Sequence, residues 1–158
     1  MASSFPAFLA HGEPNYPLIR ELPVDAAATF VAWELVFLNT GGGNDVEVCG
    51  ADPGVITGLA CAPASAKGLY YENISGATNK IPVAILTPDT VVGMSSSTTP
   101  AQAHLFNLYG VEKTGNNWRV DIGDTGNTRV TVVGIDIANG IFYVRFLAAN
   151  LNGDSIVS

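Results

Sequence analysis

Asp124-Thr125-Gly126 is the stretch whose residue types could most directly do chemistry. An Asp-Thr-Gly turn carries the catalytic carboxylate of aspartic proteases, where two such aspartates share one proton because like charges held that close cannot both ionise. A single copy in a chain of 158 residues would fit a homodimeric enzyme of the retroviral type. The flanks do not fit. That chemistry needs apolar residues before the Asp and Ala or Ser after the Gly, whereas Ile122-Gly123 precede and Asn127 follows. Val132-Val133-Gly134 also comes too soon to be the second apolar-apolar-Gly segment. As a polar turn between two strands, "GDTGNT" needs no catalytic role.

Other reactive types are too scattered to form a signature. Asp121, Asp124, Asp136 and Asn127 lack calcium-loop spacing, and His11 and His104 are the only histidines. "NTGGGND" lacks the Lys-Ser/Thr of a phosphate loop, and no nucleophile-elbow sequence presents a serine. Cys49 and Cys61 sit in apolar, strand-like settings and read as free thiols acting as small hydrophobes, with a disulfide as the lesser alternative. The expectation is no catalytic residue, no metal and no cofactor.

Composition narrows the partners. The net charge is −7, and the seven basic residues are spread along the chain, which disfavours a phosphate track and hence nucleic acid. No run of about 18 apolar residues exists to span a bilayer, and "MASSFPAFLAHGEPNYP" lacks the basic start and apolar core of a secretory signal. The reading is a protein made and kept in cytoplasm, with no membrane partner. Only 13% of residues are charged, against about a quarter in an ordinary globular chain, so much of the surface is suited to meeting other protein.

The elements that would position any site are strands. "VVGIDIANGIFYVRF" folds about Asn139-Gly140, the preferred pair of a two-residue type I′ hairpin. That register pairs Ile137 with Phe142, Ile135 with Val144 and Val133 with Phe146, all facing the core, with Asp136 and Arg145 outside. "WRVDI" alternates as a half-buried strand with Trp118, Val120 and Ile122 on one face, and Trp33 is likewise expected on the apolar side of a strand starting near Phe30. Thr99 as N-cap with Pro100 at the first helical position predicts one short helix, and Pro82 an edge position or a strand start. About eight short strands result, giving an all-β fold, a single small antiparallel β-barrel or sandwich over residues 29–158. Residues 1–28, with prolines at 6, 14, 17 and 23, read as an extended N-terminal arm. Its aromatics Phe5, Phe8 and Tyr16 are candidate partner contacts, because a purely solvated tail would be poor in such residues. The arm lies either along its own barrel or on a neighbouring subunit.

With its Pro-rich arm, "ADPGVITGLACAPA", "IPVAILTPDT" and the terminal strand set "LYGVEKTGNNWRVDIGDTGNTRVTVVGIDIANGIFYVRFLA", the chain resembles the head decoration, or cement, proteins of tailed bacteriophages from about residue 30 onward. The resemblance implies a non-enzymatic virion component, a homotrimer on the outer capsid surface that binds the major capsid protein and reinforces the shell. The alternatives are another β-rich binding module, such as a tail or carbohydrate-binding virion component with Trp or Tyr on an exposed face, and then the aspartic protease.

Overall fold

The computed structural model describes residues 6–11, 18–41, 43–66 and 79–152. Eleven strands are found there: β1 (Phe8–His11), β2 (Leu18–Pro23), β3 (Leu35–Asn39), β4 (Asp45–Val48), β5 (Gly58–Ala60), β6 (Lys80–Ile85), β7 (Val91–Ser96), β8 (Leu108–Thr114), β9 (Asn117–Asp121), β10 (Val130–Asp136) and β11 (Ile141–Phe146). The all-β expectation holds. The strands form a six-stranded sheet in the order β1-β7-β11-β10-β8-β9 and a five-stranded sheet in the order β2-β6-β5-β3-β4.

The larger sheet closes on itself. β7 also pairs β9, in parallel, through Ser95 with Arg119 and Ser96 with Val120, so β7, β11, β10, β8 and β9 form a ring and β1 hangs outside on β7. Alternation then sends one set of side chains inward: Val92, Met94, Phe142, Val144, Phe146, Val130, Val132, Val111, Trp118 and Val120 are all buried. The smaller sheet curls as well, with a parallel bridge from Val24 to Val46 joining the end of β2 to β4. It uses both faces. Val36, Ala60, Val83 and Ile85 pack into its own core with Leu22, Val24 and Phe30, while Leu35, Leu59 and Ala84 point the other way, into the core of the ring.

Sequence expectation and structure part at the β10–β11 hairpin, at the short helix and at Pro82. The β10–β11 hairpin turns through four residues, Ile137 to Gly140, with Asp136 opposite Ile141. The Asn139 N–H donates to Asp136 Oδ1 (3.0 Å) and its side-chain amide to Asp136 Oδ2 (2.7 Å), so the carboxylate of Asp136 builds the turn and Gly140 alone takes positive φ, at 70°. An irregularity between Val132 and Gly134 then shifts the pairing, setting Val130 opposite Phe146, Val132 opposite Val144 and Ile135 opposite Phe142. Phe142, Val144 and Phe146 face the core as expected and Ile135 packs against it, but Val133 gives its place to Val132 and Ile137 is 57% exposed.

The expected short helix is a 3-10 turn, Gln102–His104, capped by Ala101 instead of Thr99; the His104 ring nitrogen Nδ1 accepts the Ala101 N–H (3.0 Å). Pro82 lies within β6, between β2 and β5, not at an edge. It is tolerated there because β5 ends at Ala60, level with Val83, and beyond it only the Cys61 N–H reaches back, donating to the Pro82 carbonyl (2.9 Å). The described parts of residues 1–28 lie along the body, one of the two placements left open for them by the sequence. β1 pairs β7, β2 pairs β6 along its whole length, and Ala7, Leu22 and Val24 are core residues.

Candidate functional site

Asp124 Oδ1 accepts the backbone N–H groups of Gly126 (3.0 Å) and Asn127 (2.9 Å), and its carbonyl accepts the Gly110 N–H (2.8 Å). These are the bonds of an Asx turn tying the β9–β10 connection to β8, and they occupy the carboxylate locally. Asp121 does the same with the Gly123 N–H (2.9 Å). Among the described residues no group of three or more His, Cys, Asp and Glu side chains could hold a metal ion, and no helix is long and apolar enough to cross a membrane. His104 lies with its ring centroid 5.4 Å from Phe142 and 6.1 Å from Tyr109, packed on the end of the ring; His11 ends β1.

One charged pair is buried. Glu34, immediately before β3, is 1% exposed; its Oε2 accepts the Val31 N–H (2.7 Å) and its Oε1 meets the Lys113 ammonium from β8. Lys113 also sits 5.8 Å from the centre of the Trp118 ring. The pair ties the two sheets together. Cys49 and Cys61 are both free thiols. Burial pushes the Cys49 thiol up to about 12, with Lys113 pulling it back and Glu34 adding to the rise, and burial also raises Cys61. Both therefore stay protonated near neutral pH, which makes them poor nucleophiles.

The surface carries the more informative features. Phe8 pairs with Gly93, Gly93 with Tyr143, and Tyr143 with Gly134, so one outer row of the large sheet alternates aromatic and glycine across four strands. The Phe8 ring lies directly over Gly93, where a Cβ would collide with it, and Tyr143 covers Gly134. Phe8 is half-buried in this row. Phe5 and Tyr16, the other two expected contacts, lie outside the described residues.

The β7–β8 connection projects Phe106, 77% exposed, with Leu108 at 46% beside it. Phe106 has φ 64°, a left-handed conformation that is an outlier for a bulky side chain. Its neighbours hold it there: the Phe106 N–H donates to the Val132 carbonyl (2.8 Å), the Val132 N–H to the Asn107 carbonyl (3.1 Å), and the Asn107 side-chain amide to the Ala103 carbonyl (2.8 Å). From Thr90 to Val111 the chain has no Asp, Glu, Lys or Arg, so the projection is uncharged. On the other sheet, Phe37, Cys49, Gly50, Pro53, Gly54 and Val55 line an apolar hollow of about 260 Å³. Its rim is fixed by Arg129, which donates through Nε to the Pro53 carbonyl (2.7 Å) and pairs with Asp52 (3.2 Å). Val55 at the hollow is 48% exposed.

Trp118 is fully buried, as expected, but Trp33 is not on the apolar side of a strand: it precedes β3, has φ 69° and is 37% exposed. Sequence reasoning passed over Phe106 and Val55 and put Trp33 on the wrong side. The long charge-free run was a legible signal for the first; the backbone angles that turn Phe106 and Trp33 outward were not. No family model, curated protein or solved structure matches the chain.

Proposed function

We propose that the chain is a non-enzymatic bacteriophage capsid decoration (cement) protein, a homotrimer that binds the major capsid protein on the outer surface of the shell and stabilises it in the virion. The observation that supports this best is the display of large apolar side chains on a closely hydrogen-bonded all-β body. Phe106, Leu108, Ile137 and Ile19 are each 46% exposed or more and lie on both sheets. A subunit that touches its siblings and a shell needs several such faces, each modest in area, and gains its strength from many copies acting together. The low charge serves the same end, since fewer ions are desolvated on contact.

The test is electron microscopy of shells assembled with and without the protein, paired with sedimentation of particles after dilution and heating. Density at fixed sites on the outer surface, with greater particle survival, is the expected result. Unchanged shells that bind none of the protein would reject the reading. Asp124→Asn serves as a control that should decorate normally; specific peptide hydrolysis by the pure protein, lost in that variant, would return the protease.

The exposure of Trp33 favours a second reading, a carbohydrate-binding virion module, because half-exposed indole beside Val31 can stack on a sugar face. Titration of Trp33 fluorescence with host-surface glycans decides it.

A further inference from the structure

We propose that copies of this chain join head to tail, the Phe106 projection of one seating in the Phe37–Cys49–Val55 hollow of the next. This rests on the reading above, in which the subunit works as an oligomer, and names the contact that builds it.

Four observations converge. First, the projection is preorganised: the hydrogen bonds through Val132, Asn107 and Ala103 fix the backbone that turns Phe106 outward, so little loop freedom is lost on docking. Second, it is held at a backbone cost, φ 64° for a residue that is 77% exposed and gains little burial within its own chain. The backbone bonds to β10 repay the angle, but a large ring left exposed there brings its own subunit little, which points to a use outside it. Third, the hollow matches in size and chemistry, since about 260 Å³ can accept a phenyl ring and none of its six lining residues is charged. Fourth, the chain carries −7, so two copies repel unless they meet where charge is absent. The run from Thr90 to Val111 and the hollow are both such places, while the Asp52–Arg129 pair supplies a polar rim.

The geometry has a symmetry consequence. Projection and hollow are different patches on different sheets, so the contact is heterologous, and a heterologous contact repeats into a ring where its rotation closes and into a filament where it does not. A cyclic trimer needs three such contacts and leaves no patch unused.

Sedimentation velocity of the pure protein, without particles, tests this. The native chain should form a concentration-dependent ring. Phe106→Asp and Val55→Asp should each weaken the contact at least about thirtyfold, as expected for losing a buried anchor, and sediment as monomers. Mixed, the two variants should recover one contact, between the intact projection of one and the intact hollow of the other, and form dimers and nothing larger. Circular dichroism checks folding. Should either Asp variant misfold, Phe106→Gly suits the positive φ, and Gly54→Trp fills the hollow from a position where an added Cβ meets nothing within 4 Å. A native chain that stays monomeric, assembly that survives Val55→Asp, or a mixture that stays monomeric would each overturn the inference. The decoration reading fails separately: monomers that still decorate shells sink only the head-to-tail contact, and rings that never bind shells sink only the decoration.

Discussion

Phe106 sits at φ 64°, where an L-residue other than glycine pays about 1–2 kcal/mol in steric strain, and its ring is 77% exposed. Removing that side chain therefore sacrifices little packing and relieves the backbone. Phe106→Gly should leave the fold intact and raise its stability by up to about 1 kcal/mol, less whatever the freer unfolded chain takes back. Thermal unfolding would then rise by about 2–4 °C for a chain of this size. A clear fall in the midpoint would show that the ring is supporting its own subunit. The opposite holds for Phe146, whose side chain is 2% exposed within the closed ring, although both residues look alike as isolated phenylalanines in the sequence. What separates them is alternation: Phe146 follows Val144 and Phe142 at period two on β11, while Phe106 sits in a connection with no period at all.

At the scale of the element, the β10–β11 hairpin shows what was legible and what was not. The existence of both strands and the inward face of β11 followed from strict apolar alternation. The turn did not, because Asn-Gly names a two-residue turn only when nothing competes, and here the carboxylate of Asp136 holds Asn139 by two hydrogen bonds. The turn that Asp136 builds exposes Ile137 and sets Ile135 opposite Phe142, while the irregularity between Val132 and Gly134 puts Val132 in the core in place of Val133. The exposed Phe106 projection was half legible in the same way: its lack of charge could be read, its outward turn could not. The turn also carries a pH signature. The Asn139 side-chain amide, then its backbone N–H, hold the Asp136 carboxyl below its ordinary value of 3.8. A depressed carboxyl stabilises the folded turn above the unfolded value, and that contribution is lost as pH falls through the folded one. A carboxyl-detected NMR titration should place the midpoint below 3.8, and Asn139→Ala, which keeps the backbone donor, should move it part of the way back. An unchanged midpoint would mean that the amide does not hold the turn.

At the scale of the molecule, two curled sheets share one core through Leu35, Leu59 and Ala84 and one ion pair through Glu34 and Lys113. The two ends of that pair are unequal, since the Glu34 side chain is 1% exposed and that of Lys113 23%. Lys113→Met would leave a carboxylate enclosed without its cation and should cost about 3–5 kcal/mol, whereas Glu34→Gln leaves an ammonium that can still reach water and should cost less. The double variant should recover much of the loss of Lys113→Met alone, because neither side then holds an unpaired charge. Urea unfolding of the three variants measures this; equal effects from both single changes would contradict the asymmetry. None of this coupling was readable from sequence, because the partners stand far apart along the chain.

The pairing of β1 with β7 bears on the order of events during synthesis. Phe8 leaves the ribosome long before its partner Gly93 and the Tyr143 that completes the same row. The smaller sheet, whose strands all lie within residues 18–85, can assemble as soon as it emerges, while β1 has no edge to join until β7 exists, and the ring cannot shut before β11 arrives between β7 and β10. Closing so long a loop is entropically slow, so β1, the first made of the described strands, is expected to be among the last to dock. Pulse-labelled hydrogen exchange would record it as late protection of residues 8–11, and early protection there would refute the order. Until that moment a nascent subunit exposes the β7 edge and lacks a finished outer row, which delays the mature surface until the body beneath it is complete.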